Sequence, residues 1–428
     1  MRTYWVARAL LPTGAATGVV VACDGDGDGR LASVTAGVAR PPAGAVTLGG
    51  PDALAIPGLV DGHSHAFHRA LRGRAAGGDF WAWRAGMYRL VDRLGPESLL
   101  ALATAAFGEL LLAGVTTVHE FHYLHQPPGM DDAVCEAARR AGIRLVLLDT
   151  CYLRAGFDDA PLDAVQQRFC DGDVERGAGR EEKFVSANPD VTVGAAIHRV
   201  RAVDPASMGS VAEWARARSA TLHLHLSEQP AENAACLAAT GRTPARLAHD
   251  HGVLGPSTTA VHATHLTADD TAELGATRTA VCLCPTTERD LADGIGPASA
   301  LAAAGCALRV GTDSHTVVDL FEEARAVELD ERLATGRRGL HRPDDLLTAA
   351  TAGAALRPGE PADLCVVGLD GVRLAGVDPG DPVPMLVGAA TAADVTDAVV
   401  AGRHVVRGGH HIALDVAADL RAAIAAVR

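Results

Sequence analysis

Along the chain, short apolar runs rich in β-branched residues recur, each bounded by turn residues and followed by a stretch whose apolar positions repeat every three or four residues. Eight such runs stand out: ALAIPGLVDGH (53–63), VTTVHEF (115–121), IRLVLLDT (143–150), VTVGAAIH (191–198), ATLHLHLSE (220–228), TTAVHATH (258–265), RTAVCLCP (278–285) and ALRVGTDS (307–314). Between them lie helical patterns such as ESLLALATAAFGELLLAG, DDAVCEAARRAG, SVAEWARARS and LFEEARAVELDERLATG. The last puts its acidic residues early and its arginines late, as the helix dipole favours. Eight alternations of strand and helix predict an α/β fold, a (β/α)8 TIM-like barrel.

The ends read differently. Residues 1–52 and 359–428 carry short β patterns (GVVVACDG, ADLCVVGLD, DAVVAGRHVV), Gly-rich turns and one closing helix, ALDVAADLRAAIAAVR. Together they predict a small β-sandwich domain built from both termini, with the barrel over 53–358. A length of 428 residues suits one large barrel plus something smaller.

Composition narrows the function classes. With 48% hydrophobic and 21% charged residues the chain is globular, and a formal charge of -14 argues against nucleic acid or an anionic membrane as partner. No uncharged apolar run reaches the length of a membrane span, since the best candidate, LALATAAFGELLLAGVTTV, contains Glu109. At the amino terminus Arg8, Pro12 and Gly14 interrupt the apolar stretch, which reads as strands rather than a leader. Nine scattered cysteines without a CxxC pair fit a reduced cytoplasm, and Cys282 and Cys284 read as buried side chains of the seventh strand.

The candidate chemistry gathers where barrel enzymes keep it, at the carboxyl ends of the strands. His63 and His65 end the first run, His119, Glu120 and His122 the second, His198 the fourth, His223, His225 and Glu228 the fifth, His262 and His265 the sixth, Asp313 and His315 the eighth. Two positions apart on extended backbone, His63 and His65 face one side and can share a metal ion. An H-x-H pair alone favours solvated loop histidines, but His225 and Asp313 complete a mixed nitrogen and oxygen set suited to zinc with a position left for water. Glu228, just past His225, is placed to move protons; capping the following helix is the alternative. His262 is placed to hydrogen-bond the attacking water, the alternative being a satisfied core histidine.

PGLVDGHSHA, HLHLSEQ, VHATH and GTDSH together resemble the amidohydrolase superfamily. FWAWRAGMY, EFHYLH, CLCPTTERDLADGIGP and DSHTVVDLFEEARAVELDERL are similar to its formimidoylglutamate deiminase branch, and the resemblance runs over nearly the whole chain. It implies hydrolysis of N-formimidoyl-L-glutamate to N-formyl-L-glutamate and ammonia, a step of histidine degradation. It also implies one zinc, with iron or manganese as alternatives, held by His63, His65, His225 and Asp313, with Glu228 and His262 as the proton-transfer pair. Arg84, Tyr123, His198 and Arg201 are the implied substrate contacts. His68 stands where the branch usually has glutamine, and imidazole can also donate a hydrogen bond there. The connection RPGEPADLC is shorter than usual for the branch.

The chemistry expected is attack of water on an amidine carbon. Asp313 and His262 orient the water and take its proton; Glu228 conveys a proton to departing ammonia. Arg84 and Arg201 would meet the two glutamate carboxylates by paired hydrogen bonds, although without the resemblance the residues favour cation–π packing of Arg84 and solvation of Arg201. Two other readings remain: a deaminase of a purine- or pyrimidine-type ring, and a non-catalytic barrel that binds a partner. A small-molecule substrate and, by analogy with the superfamily, a homodimer are expected.

Overall fold

A computed structural model describes residues 2–24, 29–74, 77, 80–158, 160–188 and 191–428. Met1 and residues 25–28, which fall in the predicted terminal β domain, lie outside the described residues. Eight parallel strands form one sheet in chain order: Leu59–Ser64, Val115–His122, Arg144–Cys151, Thr192–Arg199, Leu222–Leu226, Thr258–His262, Ala280–Leu283 and Leu308–Val310. The eighth strand meets the first through the Ser64–Asp313 bridge. Asp313 N–H donates to His63 O (2.9 Å) and His65 N–H to Asp313 O (3.0 Å), so the barrel closes on the very residues that carry candidate chemistry.

The helices follow the predicted periodicity. Pro96–Leu112, Met130–Ala141, Pro205–Ala217 and Leu320–Thr335 fall on four of the helical patterns, and the last starts from Asp319, whose carboxylate accepts from Phe321 N–H and Glu322 N–H. Their apolar faces, with the barrel's outward leucines and valines, make the main core. Among the described residues no helix is long and apolar enough to cross a membrane.

Both termini build a separate mixed sheet of nine strands. Its central member is Ala53–Pro57, parallel to Arg2–Leu11 and antiparallel to Leu364–Gly368. The stretch 53–63, expected as one strand, is therefore two, because Gly58 turns the chain from one sheet into the other. A Cβ on Gly58 would come within 2.1 Å of Thr116 Oγ1, so glycine is required where the chain crosses. Tyr4, Val6, Val19, Leu364, Val366 and Val399 give this sheet its own core. The closing helix, Val416–Ala426, packs Val416 and Leu420 on Ala105 of the helix Pro96–Leu112.

The expected strands also overran their ends. The fifth stops at Leu226, the sixth at His262 and the eighth at Val310. At or just beyond these ends, Ser227 (φ 52°), His262 (φ 67°), Ala263 (φ 53°), Asp313 (φ 42°) and His315 (φ 55°) adopt left-handed backbone. Such conformations cost free energy in non-glycine residues and persist where the surroundings enforce them, often at functional sites.

Candidate metal centre and active site

The fifth strand, LHLHL, alternates strictly: its leucines face the helices, and His223 and His225 face the barrel axis. His225 meets His63 with their Nε2 atoms 3.2 Å apart. Asp313 Oδ1 lies 3.3 Å from His63 Nε2 and 3.4 Å from His65 Nε2. One ligand atom from each of His63, His65, His225 and Asp313 falls within 4.8 Å of all the others, and all four residues are buried.

Two of the rings are fixed from behind. His65 Nδ1–H donates to Phe121 O (2.9 Å) and His225 Nδ1–H to His198 O (2.8 Å), which leaves each Nε2 lone pair aimed inward. Burial holds His63 and His225 well below the usual imidazole range and His65 down to about 3, so all three are neutral, the form that binds metal. Converging lone pairs and a carboxylate repel one another unless a cation sits among them. The residues fit a divalent metal, with three imidazoles and one carboxylate as donors.

Buried carboxylates frame this group. Asp61 accepts from Thr312 Oγ1 (2.6 Å), Thr312 N–H (3.0 Å) and His63 N–H (3.2 Å), tying the first strand to the eighth. Glu120 accepts from Ser64 Oγ (2.7 Å) and Ala66 N–H (2.8 Å), tying the second strand to the first. Burial pushes Asp61 up to about 7 and Glu120 up to about 8. Glu120 thus braces the H-S-H segment.

Glu228 and His262 come together, with Glu228 Oε1 3.8 Å from His262 Nε2. On its far side His262 Nδ1 faces Glu288 Oε1 at 3.4 Å. Burial lowers the basicity of His262, but Glu228 and the bond to Glu288 outweigh it and push the ring up to about 10. A divalent cation held by His63, His65, His225 and Asp313 would lower that proton affinity and leave the ring able to accept a proton. For Glu228, burial raises the carboxyl while Arg199 and then His262 hold it below the ordinary range, so it is ionised.

One cavity is lined by His65, His225, Asp313, Glu228 and His262 and also by the expected substrate contacts Arg84, Tyr123, His198, Arg201 and His68. His68 Nε2 is 3.0 Å from Tyr123 OH. Arg201 donates to Ala155 O (3.1 Å). Arg84, on the helix Phe80–Val91, donates through Nε to Tyr88 OH (3.0 Å) and lies 4.8 Å from that ring's centre, so the cation–π alternative holds beside the pocket placement. Phe80 and Trp83 line the cavity, while Trp81 is half exposed.

Other histidines of the strand ends go elsewhere. His119 and His223 pair in the barrel interior at 3.5 Å, and His265 Nε2–H donates to Asp293 O (2.6 Å). His122 and His125 flank Asp131 at 3.1 and 3.3 Å. There Arg180, bound to Asp131 (3.2 Å), Asp149 (2.7 Å) and Asp171 (2.8 Å), already supplies the cation.

Sequence reasoning missed Arg199, Glu232 and Glu288. Arg199 donates from Nη1 to Glu232 Oε2 (3.3 Å), pairs through Nη2 with Glu228 Oε2, and lines the cavity. A bulge explains the miss: Leu224 pairs with Ile197 but His225 with Arg199, so His198 is skipped and strand alternation cannot tell which of its neighbours faces inward. Glu288 lies within CPTTERD, at the fourth position of the helix Pro285–Leu291, where it also accepts from Cys284 N–H (3.0 Å). That helix-start placement was its only signal.

Residues 54–405 match the Amidohydrolase family. A formimidoylglutamate deiminase of Pseudomonas aeruginosa is 35% identical over 96% of this chain and 96% of its own length. An 8-oxoguanine deaminase of the same organism is 31% identical over 82% of this chain and 81% of its own. Among solved structures, an amidohydrolase from Brucella melitensis superposes with a TM-score of 0.90 at 28% identity, each chain covered completely (100%).

Proposed function

The chain belongs to the amidohydrolase family and is a hydrolase acting on C–N bonds, and on that premise we propose that it converts N-formimidoyl-L-glutamate and water to N-formyl-L-glutamate and ammonia. The observation that carries this reading is the cavity wall: Arg84 and Arg201 line the same pocket as the histidine and aspartate group. In a chain of formal charge -14, guanidiniums in that pocket suit a substrate with two carboxylates, which they bind in matching forked geometry. A flat neutral ring calls for stacking and amide contacts instead. The near-complete coverage of the deiminase relative supports the same choice.

We assign zinc to His63, His65, His225 and Asp313, because neutral imidazoles with one carboxylate suit it and leave room for a reacting water. Bound there, the ion lowers the pKa of water from about 15.7 to about 7. The side chains do the rest. Asp313 and His262 orient the attacking water, and His262, held through Nδ1 by Glu288, takes its proton. Attack on the amidine carbon forms the new C–O bond. Glu228, ionised at rest, faces the nitrogen that leaves: it takes the second proton from the attacking oxygen as the C=O bond forms and passes it to that nitrogen as the C–N bond breaks, releasing ammonia, while His262 returns the first proton to solvent. Tyr123 and His68, joined at 3.0 Å, together with His198 hold the formimidoyl end against this pair.

The test is ammonia release by zinc-loaded protein from N-formimidoyl-L-glutamate, run beside guanine, cytosine and adenosine, with the formyl product identified by mass. Turnover of the amidine alone is expected. Release from a ring base alone overturns the substrate assignment and leaves a ring deaminase.

A further inference from the structure

Arg199 is buried at the cavity wall, 7% exposed, in contact with two buried carboxylates on the stretch that leaves the fifth strand. Its Nη2 pairs with Glu228 Oε2 and its Nη1 with Glu232 Oε2 at 3.3 Å. Phe80 covers the guanidinium, with its ring centre 5.7 Å from Cζ. The two oxygens of Glu228 are thereby made unequal: Oε2 is anchored, and Oε1 is the one turned toward His262, at 3.8 Å.

We propose that Arg199 is a positioning residue for proton transfer: it anchors Glu228 through Oε2 so that Oε1 alone serves the reacting nitrogen, with Glu232 as the counter-anchor that keeps the guanidinium from turning into the cavity. This deepens the role proposed for Glu228 and rests on it. A carboxylate at the mouth of a strand, on left-handed backbone at Ser227, has free rotation about its last bond unless one oxygen is tied. A planar guanidinium is rigid and keeps its charge, so it ties that oxygen without competing for the proton. Substrate carboxylates are left to Arg84 and Arg201, since both Nη atoms of Arg199 already face carboxylates.

Removing the guanidinium alone leaves two buried carboxylates facing each other, so the test uses Arg199→Ala/Glu232→Gln, which removes one charge of each sign, beside Arg199→Lys. For the double variant, kcat is expected to fall by about 10² or more, in line with loss of a positioned proton transfer, while bound metal stays stoichiometric. KM is expected to stay within about threefold, because no substrate contact is removed. Millimolar guanidinium restores part of the double variant's kcat, and Arg199→Lys falls between it and the parent. A crystal structure of the metal-loaded double variant shows the Glu228 carboxylate turned from His262. The proposal is overturned if kcat is unchanged, if the whole loss is in KM, or if Glu228 keeps its orientation in that structure. A parent protein that releases no ammonia from N-formimidoyl-L-glutamate sinks the substrate reading, while the orientation of Glu228 in the variant still decides this one.

Discussion

Glu228 and His262 lie under 4 Å apart, yet each is set by a different neighbour: a guanidinium on the far side of the carboxylate, a second carboxylate on the far side of the ring. Glu228→Gln keeps shape and volume, leaves the four candidate ligands untouched and removes the negative charge that faces Arg199 and His262 together with the capacity to carry a proton. The expected outcome is full metal occupancy with kcat down by about 10² to 10⁴. Paired measurement of metal content and ammonia release checks it; near-normal turnover would take Glu228 out of the chemistry. The same pair marks what was legible at this scale. His63, His65, His225, His262 and Asp313 each end an apolar run, so the period of the strand points to them. Arg199 and Glu288 carry no such signal, because one follows a bulge and the other sits on a helix start.

The elements were legible as a series and blurred at their ends. Strand and helix existence follows from side-chain periodicity, which the barrel wall and its helices impose on every repeat. Strand ends obey backbone demands that periodicity does not record, and here the chain leaves the fifth, sixth and eighth strands through left-handed residues. The expected runs therefore overshot where the site is built. The junction at Gly58 was hidden for a similar reason, since both flanking segments are apolar and only the change of sheet separates them. Gly311 shows how little slack these ends have. A Cβ there would lie 2.7 Å from both His63 N and His63 O, backbone that cannot yield without moving the histidine. Gly311→Ala should destabilise the fold by about 1–3 kcal/mol, as overpacking of a close interior does, and weaken metal binding along with it. Denaturant unfolding together with metal titration tests this: a variant that loses stability but binds metal as tightly as the parent disconnects Gly311 from the site.

Seen whole, the barrel has one seam, and the candidate metal group straddles it. The first and eighth strands meet through Ser64 and Asp313, through the backbone bonds Asp313 N–H to His63 O and His65 N–H to Asp313 O, and through the Asp61–Thr312 contacts. His225 adds the fifth strand, from the opposite wall. Without a cation this junction crowds the inward lone pairs of His65 and His225 against a carboxylate, and their mutual repulsion works against closure. A bound divalent ion reverses the sign of that interaction and pulls three strands that are remote in sequence toward one point. Metal binding is then folding free energy: for an ion present at about 1,000 times its dissociation constant, linkage adds about 4 kcal/mol to the native state. Chelation should lower Tm as well as abolish ammonia release, and zinc should restore both. Asp313→Asn or His225→Ala should lower Tm in the presence of zinc and make it insensitive to chelator. A chelated protein that melts where the zinc-loaded protein does would mean that the seam holds by backbone and Asp61 alone, with the ion serving only the reaction.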